Sequence, residues 1–143
     1  MTIKISYLWV TIIAISLASG LGGCMQSASS RSRVLIEYHR SGGFVGLDDR
    51  LIIREDGETS LTRKERRFSF TLDRATVNQL ADLFTTAGFM QLRKEYMPQR
   101  AGPDLFTYVV TYRGHTVRTM DGAIPPALDP ILEQLDQIVE SHQ

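Results

Sequence analysis

The chain has 143 residues, with 16 basic and 16 acidic side chains and one cysteine. A formal net charge of zero gives no global attraction to nucleic acid or anionic lipid. A single thiol excludes an internal disulfide and a thiolate metal cluster, so the fold must rest on a hydrophobic core, which a chain of this length can build alone.

The first stretch carries one charge, Lys4, and then runs nearly charge-free over residues 5–21, rich in Ile, Leu, Val and Ala. Its strongly apolar part, about 5–18, is shorter than the ~20 residues that span a bilayer, so it reads as a secretory signal rather than a transmembrane helix. It ends in Leu21-Gly22-Gly23-Cys24, which resembles the lipobox of bacterial lipoproteins. The resemblance implies cleavage before Cys24, diacylation of its thiol and acylation of the new N-terminus. Acyl chains at ~0.8 kcal/mol per buried methylene would hold such a protein on a membrane. Met25 rather than an aspartate follows the cysteine, which by the same resemblance implies the outer membrane, facing the periplasm, in a cell with two membranes. The chain therefore divides into a signal peptide over 1–23, a tether over 24–32 and a folded domain over 33–143. The tether's run Gln26-Ser27-Ala28-Ser29-Ser30-Arg31-Ser32 is too small and polar to bury itself.

From Arg33 the hydrophobic period is mostly two. Val34, Ile36 and Tyr38 alternate with Leu35, Glu37 and His39, a strand that stops at the Ser41-Gly42-Gly43 turn. Leu51-Ile52-Ile53-Arg54 is a second strand, ended by Asp56-Gly57, a strong hairpin signal. A weaker strand spans 58–63, and Phe68, Phe70 and Leu72 then mark a half-buried one. The period next changes to 3.6. Asp73 can cap a helix in which Val77, Leu80, Ala81 and Phe84 share a face, and Gly88 suits a left-handed terminating residue. Residues 98–104 form a loop before the strongest strand, 105–112, which is apolar on both faces and so predicted to be central. Arg113-Gly114 turns that strand into 115–120. A last helix follows over about 129–140, with Pro130 in its first turn and Ile131, Leu132, Leu135, Ile138 and Val139 in one stripe. The predicted fold is α+β: an antiparallel sheet of about four to five strands with two helices packed on one face.

The search for chemistry is negative. His39, His115 and His142 lack metal-ligand spacing, and His-Glu-x-x-His is absent. His39 and His115, with Glu37 as a third ligand, could meet only if their strands pair; half-exposed strand histidines are the simpler reading. There is no Gly-x-Ser-x-Gly elbow and no Gly-rich phosphate loop. Asp48-Asp49 lies in a turn-rich stretch where aspartate serves local hydrogen bonding. Arg63-Lys64-Glu65-Arg66-Arg67, the one basic run, reads as a solvated turn rather than a lipid-binding patch. No enzymatic activity, cofactor or metal is expected. One segment stands out, Gly122-Ala123-Ile124-Pro125-Pro126-Ala127-Leu128. Its two prolines fix φ and remove donors, making a stiff apolar loop that would lose little entropy on docking. The simpler alternative is a packed start to the last helix, with Leu128 as a hydrophobic staple.

Several short runs resemble the emfourin family, small bacterial protein inhibitors of thermolysin-like (M4) metallopeptidases. These are Arg40-Ser41-Gly42-Gly43-Phe44-x-Gly46, Gly102-Pro103-Asp104-x-Phe106-x-Tyr108, Gly114-His115-x-Val117 and Pro125-Pro126-Ala127-Leu128, in matching order across nearly all of 33–143. Two departures are visible: Gly-Pro-Asp at 102–104 where the family has Gly-Ala-Asp, and the lipobox leader. The resemblance implies inhibition of an M4-type metallopeptidase by occlusion of its cleft. It places the contact at Pro125, Pro126 and Leu128, with Ile124 beside them. Such enzymes prefer bulky apolar side chains beside the scissile bond, which a proline-braced Ile or Leu would imitate. The competing reading is a lipid-tethered envelope interaction module without inhibitory activity.

Overall fold

The computed structural model describes residues 32–100 and 102–142. The leader, Cys24 and most of the predicted tether lie outside the described residues. Among those described, no helix is long and apolar enough to cross a membrane.

Alternation dictates the first half. Strand β1 (Val34–Gly42) turns into β2 (Leu47–Arg54), then β3 (Glu58–Arg63) and β4 (Arg66–Thr71), each antiparallel to the one before. The period-3.6 segment follows as α1 (Arg74–Thr86), where the Asp73 side chain accepts from the Thr76 backbone N–H. That bond and one from the Thr76 hydroxyl hold the Asp73 carboxyl below its ordinary range. Gly88 takes the left-handed conformation and starts a short 3-10 turn, Phe89–Gln91. Then come β5 (Glu95–Tyr96), β6 (Phe106–Tyr112), β7 (His115–Met120) and α2 (Asp129–Ser141), with proline in its first turn.

The strands form one sheet in the order β4-β3-β2-β1-β6-β7-β5, antiparallel except where β5 lies parallel to β7. Seven strands replace the four to five expected. The β3–β4 hairpin is a full member of the sheet, and β5 is too short to carry any period that a sequence could display. One row of side chains crosses five strands: Leu61, Leu51, Tyr38, Val110 and Val117 are register partners in turn, and all are fully buried. Both helices cover this face. Phe84 of α1 stacks on Tyr112 at 4.4 Å between ring centroids, and Asp136 of α2 accepts from the Tyr38 hydroxyl at 2.6 Å. Helix α2 starts just after β7 and ends with His142 stacked 3.7 Å from Phe70 of β4. The other face shows Glu37, Arg50, Arg67, Thr116 and Arg118 to solvent.

Candidate functional site at the loop end of the sheet

Register gathers three loops at one end. Gly42 pairs with both Leu47 and Phe106, and Thr107 pairs with Met120. The 43–46 turn, the segment preceding β6 and the segment following β7 are therefore neighbours.

The 43–46 turn is built by glycine. Gly42, Gly43 and Gly46 all have positive φ, at 111°, 68° and 59°. A Cβ on Gly42 would lie 2.6 Å from the Leu105 carbonyl oxygen, and one on Gly43 would lie 2.5 Å from the Phe106 ring. The Gly46 N–H donates to the Gly43 carbonyl at 3.0 Å, closing a β-turn, and the Gly43 N–H ties the turn to the Leu105 carbonyl at 3.3 Å. The two residues at the turn's centre are apolar and face water: Phe44 is 86% exposed and Val45 70%.

Beside it, Asp121 fixes the start of the proline segment. Its carboxylate accepts from the Phe106 N–H at 2.8 Å, while its own N–H donates to the Phe106 carbonyl at 3.0 Å. Thr119 Oγ1 donates to the Ala123 carbonyl at 3.2 Å. Pro126 is exposed, Pro125 half-buried, and Ile124 partly buried against the core. Leu128, expected at the contact, has no solvent exposure. Its N–H bonds back to the Pro125 carbonyl at 2.8 Å, which swings the side chain beneath the segment to join the core at the start of α2. The staple reading is thus the one the geometry supports for Leu128, and only Ile124, Pro125 and Pro126 of the predicted set border the surface. Met97, 40% exposed, belongs to the chain leading to Pro98, whose Cβ lies within contact distance of a Cβ at Gly122.

Beneath the turn lies a charge cluster that the sequence reading did not find. Asp49 is fully buried in β2 and accepts from Arg40 (Nη2, 2.9 Å) and from Arg63 (Nε, 2.9 Å; Nη2, 3.3 Å). Arg40 also donates to Asp136 at 3.0 Å and Glu140 at 2.9 Å on α2, and Arg63 reaches Glu140 at 3.2 Å. The Asp48–Asp49 pair is therefore strand, not turn. Arg63 is likewise a half-buried partner, not part of a solvated patch. Desolvation alone would lower the Arg40 pKa, but its bonds to Asp49 and Glu140 hold it above the ordinary value. Burial raises the Tyr38 phenol, with the Asp136 bond adding to it. Burial also lifts the Tyr108 phenol to about 12, helped by the charge of Asp121. The cluster clamps α2 to β1, β2 and β3 directly below the turn, so the loop end is carried on a braced frame.

His39 and His115 do not meet. Strand β6 separates theirs, His39 pairs with Asp48 at 2.8 Å and His115 lies 3.1 Å from the Leu92 carbonyl. Among the described residues no group of three or more His, Cys, Asp or Glu is placed to hold a metal ion. The only clue to Phe44 and Val45 available in sequence was an apolar pair between glycines, in a turn where polar residues are the rule.

The described residues form an α+β domain whose loop end exposes apolar side chains. The emfourin family model matches residues 38–136, and the chain belongs to that family. No curated protein matches the chain. Membership points to a protease-inhibitor-like function and to the association of this family with metallopeptidases. The expectation that the chain is not an enzyme is consistent with an inhibitor-type family.

Proposed function

We propose that this protein is a lipid-anchored inhibitor of an M4-type metallopeptidase that works by covering the enzyme's active-site cleft with its loop end. The observation that carries the reading is the exposure of Phe44 and Val45 on a hydrogen-bonded turn beside the stiff Ile124-Pro125-Pro126 segment. Large apolar side chains held rigidly lose little entropy on docking, and aromatic anchors dominate interface energetics. Residues 42–47 and 122–128 contain no carboxylate, thiol or imidazole, while the segment preceding β6 at the same end carries the exposed carboxylate Asp104. The anchor is Cys24, supported by the leader and its Leu21-Gly22-Gly23-Cys24 ending, with the outer membrane facing the periplasm as the site in a two-membrane cell.

The test is a titration. A thermolysin-like peptidase hydrolysing a short peptide substrate should lose activity in proportion to added protein, with an apparent KM effect that marks competition for the cleft. Full activity at a large molar excess, across several M4 enzymes, would leave the envelope interaction module in its place.

A further inference from the structure

We infer that this protein pairs with a second copy of itself through strand β4, antiparallel about a two-fold axis at Ser69, so that two sheets join into one. The inference stands apart from the inhibitor reading above.

The two edges of the sheet differ. Strand β5 is two residues long and offers almost no ladder, whereas β4 runs six residues with β3 as its one neighbour in the sheet. The Leu72 N–H donates to the Gly57 carbonyl at 3.0 Å, and bonding alternates along an antiparallel pair. Arg66, Phe68 and Phe70 therefore spend their backbone groups on β3, while Arg67, Ser69 and Thr71 direct theirs outward. An edge of this kind is a template for another strand unless a proline, a bulge or a covering element blunts it. Strand β4 contains no proline, and its register with β3 is unbroken.

Charge selects the occupant. One end of β4 is basic: Lys64, Arg66 and Arg67 are exposed there, against Glu65 alone. The other end is acidic. Register sets Thr71 beside Glu58, Glu55 and Asp56 lie in the adjoining turn, Asp73 follows, and all four carboxylates are exposed. Glu58 is bridged to Arg54, at 3.4 Å. An antiparallel second copy lays each basic end along an acidic one; a parallel copy would set like ends together. With the axis at Ser69, every outward residue finds a partner: Ser69 opposite Ser69, and Arg67 opposite Thr71. An axis at Arg67 would oppose two arginines, which is destabilising. The same register brings Phe68 of one copy opposite Phe70 of the other on the helix-covered face, where both rings are half-buried and still have surface to remove from water. The 64–65 turn shares its end of the sheet with the 43–46 turn. Antiparallel pairing therefore sends the two loop ends in opposite directions, and neither is covered.

The experiment is sedimentation equilibrium of the full chain in density-matched mild detergent. The wild type should follow a monomer–dimer equilibrium that shifts toward monomer as salt is raised, because the paired charges are exposed. Ser69→Pro removes a donor that β3 does not use, and should abolish the dimer while the circular dichroism spectrum stays that of the wild type. Ser69→Lys sets like charges face to face and should weaken association by about fivefold. An equimolar mixture of Ser69→Lys and Ser69→Glu should restore it as a heterodimer, which also shows that both variants are folded and decides the matter if the proline variant is not. A monomer mass for the wild type at every concentration overturns the inference. So does dimerisation of Ser69→Pro or Ser69→Lys at wild-type strength, which would place the contact elsewhere. A mixture no tighter than either variant alone overturns the axis at Ser69.

Discussion

Asp49 has no contact with solvent, and its two oxygens are divided between Arg40 and Arg63. Removing charges from water is costly, and here both guanidinium ends of Arg40 are matched to carboxylates while its buried Nε is left without a partner among the described residues. Arg40 extends the network to Asp136, which also accepts from Tyr38. Nothing local announces this cluster: Asp48-Asp49 looks like turn chemistry, and the partner that changes its meaning, Arg63, lies on another strand. Leu128 carries two readings in sequence for a related reason. A leucine after two prolines reads equally well as an exposed plug or a buried staple, and the bond from its N–H to the Pro125 carbonyl decides between them. Leu128→Ala should therefore cost about 2–5 kcal/mol of stability, measured by urea unfolding, through lost burial and an internal cavity. A loss below ~0.5 kcal/mol would show the side chain to be peripheral. The buried phenols give a second test. Tyr108 has a folded pKa of about 12, above the ordinary 10.0, so its stabilising contribution is complete below pH 10 and declines as pH rises toward 12. Alkaline unfolding between pH 10 and 12 should be less steep in Tyr108→Phe than in the wild type, by on the order of 2 kcal/mol over the window. Parallel curves would place the phenol in water.

Helices and hairpins were largely legible because each carries its own chemistry. Asp73 as cap, Gly88 as the left-handed stop and the Arg113-Gly114 turn are decided within a few residues, and they appear where expected. What the sequence could not display is pairing: the two residues of β5 become a strand only because Arg118 and Thr119 of β7 lie alongside them. The β2–β3 hairpin offers the sharpest element-scale prediction. Gly57 has φ 90°, and a Cβ there would sit 2.2 Å from the Leu72 carbonyl oxygen, which accepts no such neighbour without backbone movement. Gly57→Ala should destabilise the domain by more than ~1 kcal/mol, since strain in a left-handed position adds to the steric clash. A melting temperature equal to the wild type's would mean that the β3 start and the segment after β4 can separate freely.

At the scale of the molecule, one face of the sheet is spent on the core, the other is polar, and the apolar groups left to water collect at the loops. Fold class and helix placement followed from the alternation of periods, while strand order and the identity of the exposed end depended on long-range register. The proposed anchor is tested by Cys24→Ser, which should move the protein from membrane to soluble fractions; retention on membranes would assign the attachment to something else. The proposal that the loop end covers the metallopeptidase cleft is tested most directly by mutual exclusion. Calorimetry of the full chain binding a thermolysin-like enzyme should show heat with the free enzyme. That heat should vanish when the cleft is already filled by a small zinc-directed inhibitor. Undiminished binding to the blocked enzyme would contradict the account, since it would place the contact away from the active site.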